Sequence, residues 1–250
     1  MSENEKKAIV IGASSGIGAA LAVLLAEDGY EVGVTARRIE LLRGLQQRIP
    51  SRVVIKQMDV ARSGEAMLLL EELIAELGGL DLIVINAGVN PGNARLEWEP
   101  EWETISVNVC GFAAMANVAM RHFLRQNTGH LVGISSIAGL KGSAKRPSYS
   151  ASKAFVFNYL QGLRFRARGT GIYITDIRPG FVDTMMIKKT KTTFWVASPQ
   201  TAAKQILQAV KKKEKTAYIT QRWVLISWLI RILPDWLCGL QYKKELDQDA

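Results

Sequence analysis

The sequence predicts one α/β domain built on a doubly wound, mostly parallel sheet with helices on both faces. Short apolar strands alternate with amphipathic helices from one end to the other, without a Pro/Gly/Ser-rich linker or an internal repeat. The 250 residues suffice for one large core, and 48% apolar with 22% charged residues excludes a disordered or fibrous chain. Only two cysteines, Cys110 and Cys238, occur far apart, which indicates a reducing compartment without a disulfide framework.

The elements follow in regular order. Short runs rich in Val and Ile predict strands at 8–11, 31–35, 52–57, 81–85, 129–134, 172–177 and 217–220. Apolar residues at helical spacing predict helices at 17–27, 40–48, 65–77, 102–125, 149–168 and 201–210. The last of these shows the pattern: Ser198 can cap it, Pro199 suits its first turn, and one face is apolar through Ala203, Ile206, Leu207 and Val210.

The turn after the first strand has the sequence Gly12-Ala13-Ser14-Ser15-Gly16-Ile17-Gly18. Glycines allow the sharp reversal and a close approach of the backbone to a pyrophosphate, and the helix that follows offers free N–H groups to that anion. A glycine turn without a ligand is the alternative. The position between a strand and a helix favours dinucleotide binding, and the Gly-Lys-Ser/Thr ending of a P-loop does not occur.

The Gly-x-x-x-Gly-x-Gly spacing resembles that of the classical short-chain dehydrogenase/reductase family, from residue 8 to about residue 219. The resemblance implies a Rossmann-type fold that binds a nicotinamide dinucleotide. It implies that Asp59 contacts the adenine ring and that the adjacent Val60 also belongs to the cofactor site. It assigns Asn86, Ala87 and Gly88 to the sheet centre behind the cofactor.

Two positions depart from the family pattern. Ile11 stands where members often have Thr, and Ile85 stands where they often have a second Asn. Each departure removes a possible supporting hydrogen bond, but neither residue takes part in the reaction of the family.

The end of the second strand bears on which dinucleotide binds. An acid there would bind a ribose 2′-hydroxyl, but the chain has Arg37 and Arg38 and no acid before Glu40. Arg37 can clamp a 2′-phosphate, and Arg38 can stack or add charge. Two solvent-facing arginines are the alternative. The pattern favours NADP(H), and NAD(H) stays possible.

Tyr149 and Lys153 stand four residues apart at the start of a predicted helix, so both side chains share one face. The tyrosine has an ordinary pKa of about 10, and we expect the nearby ammonium to lower it. Tyr149 could then give a proton to a carbonyl oxygen as hydride arrives, or remove one from an alcohol. A packed tyrosine beside a surface lysine is the alternative.

The family resemblance adds further site residues. Ser136 matches the catalytic serine that holds the substrate oxygen, whereas Ser135 is expected to be structural. Asn108 matches the residue that supports a water and proton relay behind the lysine. Lys153 would also bind the nicotinamide ribose. The segment containing Pro179, Gly180, Val182 and Thr184 would back the nicotinamide and contact its carboxamide.

The predicted function is therefore an NADP(H)-dependent carbonyl reductase that can also run as an alcohol dehydrogenase. A non-catalytic NADP(H)-binding regulatory or scaffold protein is the alternative, but it would not need Tyr149 and Lys153 together. The family also implies a homodimer or homotetramer. We expect residues 185–196 to form a flap over an apolar carbonyl or alcohol substrate, or else a packed loop.

Other classes of function find no support. The net charge of +9 includes lysine runs at 188–191 and 211–215, which we interpret as solvated faces. No zinc-finger, basic-leucine or RNA-binding motif indicates nucleic acid. His122 and His130 lack metal-ligand spacing and are expected to be surface or packed residues, and no Gly-x-Ser-x-Gly motif occurs.

Residues 222–250 are predicted to be an apolar helical extension of the domain at 1–221. The predicted helix at 222–233 is apolar except for a stripe of Ser227 and Arg231. It is too short to cross a bilayer, and with a polar start of the chain this predicts a cytoplasmic protein. The helix could pack in a subunit interface, close the substrate pocket, or attach residues 222–240 to a membrane surface.

Overall fold

The computed structural model describes residues 5–184 and 195–236, so most of the predicted flap and the end of the extension lie outside the described residues. Its strands are β1 (Lys6–Ile11), β2 (Tyr30–Ala36), β3 (Val53–Gln57), β4 (Leu82–Ile85), β5 (Thr128–Ile134), β6 (Gly171–Pro179) and β7 (Thr216–Ile219). They form a seven-stranded sheet in the order β3-β2-β1-β4-β5-β6-β7. All neighbouring pairs are parallel.

Helices cover both faces of this sheet, which confirms the predicted doubly wound α/β fold. They are α1 (Gly16–Glu27), α2 (Ile39–Gln46), α3 (Ser63–Leu77), α4 (Trp98–Ile105), α5 (Phe112–Gln126), α6 (Pro147–Arg166), α7 (Pro199–Lys211) and α8 (Trp223–Ile232).

The prediction of one regular helix at 102–125 is wrong in two respects. The helical run already begins at Trp98, and a π-helical segment, Ser106–Gly111, separates α4 from α5. Apolar spacing does not reveal such a widened turn, because the flanking helices keep their own period. A 3₁₀ segment, Ile137–Leu140, was also not predicted.

The core consists of two apolar layers, one on each face of the sheet. Val10 of β1 points to the layer under α1 and α7, which includes Leu21 and Ile206. Ile9, the preceding residue, points to the layer under α3, α5 and α6, which includes Leu73. This alternation explains why the strands read as continuous apolar runs, since both faces are buried.

The start of α7 agrees with its sequence pattern. The Ser198 side chain accepts a hydrogen bond from the Thr201 N–H at 3.1 Å, and Pro199 occupies the first turn. Ala203 and Ile206 are buried against the first layer. The predicted cap and apolar face are therefore confirmed.

Ser227, one of the two polar residues of the predicted stripe of α8, is buried. Trp223 and Ser227 face the protein, and the Ser227 hydroxyl donates to the Val224 carbonyl at 2.7 Å. Because the Ser227 hydroxyl forms its hydrogen bond within the helix, it can be buried without an unpaired polar group, while larger apolar side chains face outward. No helix within residues 5–184 and 195–236 has the length and apolarity needed to span a bilayer.

Candidate active site

A cavity of about 1050 Å³ opens at the carboxyl ends of the central strands. It lies where the strand order reverses between β1 and β4, the usual ligand position in an open parallel sheet. Nearly all the predicted site residues line it: Gly12, Ser14, Ser15, Gly16, Ile17, Arg37, Arg38, Asp59, Val60, Asn86, Ala87, Gly88, Ser136, Tyr149, Lys153, Pro179, Gly180, Val182 and Thr184.

Gly18 is a predicted cofactor residue that does not line the cavity. A Cβ on Gly18 would lie 2.2 Å from the Gly12 carbonyl oxygen and 2.6 Å from Nδ2 of Asn86. That same amide donates to the Gly12 carbonyl at 2.8 Å. Gly18 therefore lets α1 pack against the turn, while Gly12 holds a positive φ of 88° and contacts Ala87.

The turn presents an electropositive wall to the cavity. Nη2 of Arg38 donates to the Ser14 hydroxyl at 2.9 Å and to the Ser15 hydroxyl at 3.3 Å. Neither Arg37 nor Arg38 forms an ion pair with a described residue, and α1 begins directly after Ser15. Two guanidinium groups beside a helix N-terminus suit a phosphate-rich ligand.

Asp59 and Gly88 line the cavity beyond the turn. Oδ1 of Asp59 accepts the Ala61 N–H at 3.1 Å, which fixes the carboxylate within its own turn. Gly88 lies between catalytic candidates, since a Cβ there would be 3.3 Å from Oδ1 of Asn108 and 3.5 Å from Nζ of Lys153.

Ser136 and Tyr149 meet at the cavity wall. Ser136 caps the 3₁₀ segment by accepting the Ala138 N–H at 3.1 Å, and its hydroxyl donates to the Pro179 carbonyl at 3.4 Å. Burial raises the pKa of Tyr149 above its ordinary value, while the Ser136 hydroxyl and the charge of Arg146 act in the opposite direction. The phenol is therefore protonated at neutral pH.

Lys153 is held one turn further along α6. Its ammonium donates to the Ile134 carbonyl at 3.0 Å and lies 5.8 Å from the centre of the Tyr149 ring. Burial lowers the pKa of Lys153 to about 8, against the favourable charge of Asp176. The expectation that Lys153 lowers the pKa of Tyr149 is thus wrong here, because desolvation of the phenol is the larger effect.

Asn108 sits in the π-helical segment, behind the cavity wall. Its Oδ1 accepts the Val89 N–H at 2.8 Å, and its Nδ2 donates to the Val89 carbonyl at 2.9 Å and the Ser152 hydroxyl at 3.1 Å. The side chain clamps the segment after Gly88, and it contacts neither Tyr149 nor Lys153 by a hydrogen bond.

A buried ionic group beneath the site escaped the sequence reasoning. Asp176 accepts the Ser135 hydroxyl at 2.5 Å and pairs with Nε of Arg178 at 2.7 Å. Arg178 also stacks over Phe157 at 4.0 Å. The sequence does contain one indication of this pair. An acid and a base stand two residues apart in an apolar strand, and residues at that spacing lie on the same face of a sheet. The bond to Asp176 gives Ser135 the structural role expected of it.

The far wall joins the Pro179-Gly180 segment to α8. The Gly180 N–H donates to the Ile219 carbonyl at 2.7 Å, and a Cβ on Gly180 would lie 2.0 Å from the Trp223 indole. Ile230 and Leu233 line the same cavity. The inner side of α8 is therefore a wall of the cavity, which agrees with one of the three interpretations of this helix.

The histidines serve no site among the described residues. Nε2 of His130 lies 2.8 Å from the Thr175 hydroxyl, and burial lowers the pKa of this ring to about 4. The described part of the chain contains no cluster of three His, Cys, Asp or Glu side chains able to hold a metal.

Comparison with known proteins agrees with this geometry. A model of the short chain dehydrogenase family matches residues 6–195. An uncharacterized oxidoreductase of Myxococcus xanthus is 42% identical over 182 residues, which make up 71% of this chain and 72% of that protein.

Solved structures give the same assignment. Serine dehydrogenase from Escherichia coli superposes with a TM-score of 0.74 at 27% identity, over 86% of this chain and 99% of that one. The closed form of serine dehydrogenase complexed with NADP⁺ gives a TM-score of 0.76 at 27% identity, over 86% and 96%. The chain therefore belongs to the short-chain dehydrogenase/reductase family of oxidoreductases.

Proposed function

We propose that this protein is an NADP(H)-dependent carbonyl reductase that can also run as an alcohol dehydrogenase. One observation carries the proposal: Ser136, Tyr149 and Lys153 line the same cavity, with the Lys153 ammonium 5.8 Å from the centre of the Tyr149 ring and the Ser136 hydroxyl close enough to Tyr149 to act on its pKa. Two hydroxyls at one point can receive one carbonyl oxygen, and an ammonium nearby stabilises negative charge that develops there.

Each residue has a definite role in the proposed reduction. Ser136 donates a hydrogen bond to the substrate oxygen, and Tyr149 transfers its proton to that oxygen as negative charge develops. The raised pKa of Tyr149 keeps this proton in place at neutral pH, which suits the direction of reduction. Lys153, with a pKa of about 8, is mostly charged at pH 7 and would bind the ribose hydroxyls of the nicotinamide cofactor. The nicotinamide cofactor, when bound, supplies or accepts the hydride.

NADP(H) is proposed as the cofactor because the wall that would face its adenosine end is cationic. Arg38 is fixed over the turn by Ser14 and Ser15, and Arg37 lines the same wall. Asp59 is the carboxylate on this side of the cavity, but it lies at the end of β3 rather than at the end of β2, where an acid would repel a 2′-phosphate. The protein relative solved with NADP⁺ supports this choice.

The non-catalytic alternative is not favoured. A regulatory protein could use the turn and Arg38 alone, with no need for Ser136, Tyr149 and Lys153 to line the same cavity. The remaining expectations are proposals of the same kind: an apolar substrate, a cytoplasmic location and a homodimer or homotetramer. Exposed aromatic residues on α4, Trp98 and Trp102, offer apolar surface for such a contact.

The test is NADPH and NADH oxidation against a panel of aldehydes, ketones and long-chain oxo compounds. We expect NADPH-selective turnover, with kcat at least about 100-fold lower in Tyr149→Phe. Tyr159→Phe is the matched control, since Tyr159 also lies on α6 but stacks on Phe155 outside the cavity. Turnover that survives Tyr149→Phe contradicts the mechanism, and NADPH binding without turnover of any carbonyl favours the regulatory alternative.

A further inference from the structure

The outward side of α8 is an exposed apolar surface. Its apolar side chains are between 46% and 79% exposed, and Trp236 just beyond the helix is 68% exposed. We call this surface the outer face; it consists of Val224, Leu225, Trp228, Leu229 and Ile232. Single exposed apolar residues are common, but five in one ten-residue helix form a contiguous patch of the kind that marks an interaction site.

The outer face is bordered by cations. At 100° per residue, Arg222 falls at one edge of the face and Arg231 at the opposite edge. Both side chains are exposed, and the Arg222 guanidinium also lies 5.8 Å from the Trp195 ring. The nearby acid, Asp235, is already paired with Nζ of Lys141 at 2.5 Å. The surface is thus apolar in the centre and positively charged at its rim.

A second copy of this chain fits the surface less well than a lipid bilayer does. A two-fold contact would bring the edge arginines of one helix to the edge arginines of the other, since such contacts use the same patch twice. The face has no carboxylate to pair with them. An anionic bilayer supplies both components that the surface lacks, hydrocarbon for the centre and phosphate for the rim.

We propose that α8 lies in the plane of an anionic membrane surface, with its outer face inserted among the acyl chains. Trp228 and Trp236 suit the boundary between headgroups and hydrocarbon, where amphipathic rings concentrate. The net charge of +9 adds long-range attraction to such a surface. The helix has ten residues and lies along the surface rather than across the bilayer.

The position of α8 also relates the membrane to the cavity. Ile230 and Leu233, on its inner side, line the cavity that contains Tyr149. Lys141 fixes the end of the helix by donating to the Leu233 carbonyl at 3.0 Å. Docking by the outer face therefore leaves the cavity wall unchanged and brings the cavity close to the lipid surface.

The experiment is co-sedimentation of the full chain with vesicles of phosphatidylcholine mixed with phosphatidylglycerol. We expect binding that falls at least tenfold in the double variant Leu225→Glu, Trp228→Glu. Arg222→Gln and Arg231→Gln should each weaken binding about fivefold, and only on the anionic vesicles. Vesicles of phosphatidylcholine alone should bind the parent protein weakly.

The matched control is the double variant Leu68→Glu, Phe165→Glu, which places the same charges on apolar side chains that are 63% and 72% exposed on other helices. It should bind vesicles like the parent protein. Thermal unfolding and NADPH binding show that each variant is folded, so a loss of membrane binding is distinguishable from a failure of the proposed enzyme function.

Three results overturn the proposal. One is equal vesicle binding by the parent protein and the outer-face variant. Another is a parent protein that does not bind vesicles but changes its mass in light scattering when the outer face is altered, which would assign this surface to a second copy. The third is a parent protein that neither binds vesicles nor changes its mass when the outer face is altered.

Discussion

The glycine turn and α8 form two walls of the same cavity, but different forces fix them. In the turn, the backbone of Gly12 and the missing Cβ of Gly18 allow one arrangement, and any larger residue would overlap backbone atoms. In α8, two tryptophans differ in solvent exposure: Trp223 is 2% exposed and Trp228 is 66% exposed. Residue type therefore determines the structure of the turn, whereas the neighbouring segments determine which face of α8 is buried.

The largest effect should come from the turn. Gly18→Ala places a Cβ 2.2 Å from the Gly12 carbonyl oxygen, so α1 and the turn must separate. We expect a loss of about 4 kcal/mol or more in the free energy of unfolding. Urea unfolding measures this value.

Gly44→Ala is the matched control for this substitution. Gly44 lies inside α2, and a Cβ there meets nothing within 4 Å. We expect a gain of about 0.5–1 kcal/mol, because alanine loses less conformational entropy on folding. Similar stability changes in the two variants would show that the overlap at Gly18 does not determine the turn.

This contrast also marks how far the sequence could predict the molecule. Strands buried on both faces read as apolar runs, so the sheet and its helices could be predicted within a few residues. The spacing of Tyr149 and Lys153 places both on one side of α6, because helical geometry is the same in any protein. Such features depend on local backbone geometry alone.

Other features depend on tertiary contacts and could not be predicted. The burial of Ser227 follows from what lies under α8, and the raised pKa of Tyr149 follows from desolvation in the cavity. The contacts of Arg38 with Ser14 and Ser15 join residues of different loops. In each case the sequence supplied the residue type, but segments outside the residue's own element determine its burial or its contacts.

The next largest effect should separate the two tryptophans of α8, whose replacement by alanine should change the free energy of unfolding by different amounts. Trp223→Ala removes an indole packed against Gly180 and Phe181, so we expect a loss of about 3–5 kcal/mol and weaker NADPH binding. Trp228→Ala should stay within about 0.5 kcal/mol of the parent protein, because the side chain is exposed. Thermal unfolding with NADPH titration distinguishes them, and equal losses would contradict the assignment of inner and outer faces.

The third prediction concerns the cationic wall. Arg38→Gln should raise the Kd for NADPH about 10- to 100-fold, since a charge-assisted hydrogen bond contributes about 1.5–3 kcal/mol. The Kd for NADH should hardly change. Arg43→Gln is the control, because Arg43 lies in the last turn of α2 and does not line the cavity. Fluorescence titration of the parent protein and both variants with each cofactor gives the six constants, and equal weakening of both cofactors in Arg38→Gln would argue against a 2′-phosphate at Arg38.

The smallest predicted effect concerns pH and Lys153. Its pKa is about 8 in the fold and about 10.4 in the unfolded chain, so between these values the unfolded state binds more protons. Stability then rises with pH, and the free energy of unfolding of the cofactor-free protein should increase by about 1 kcal/mol from pH 7 to pH 9. Lys153→Met should lose this increase, because the titrating group is gone. The same slope in both proteins would mean that the ammonium is not desolvated behind Tyr149, and its charge would then be available to the substrate oxygen without a cost in stability.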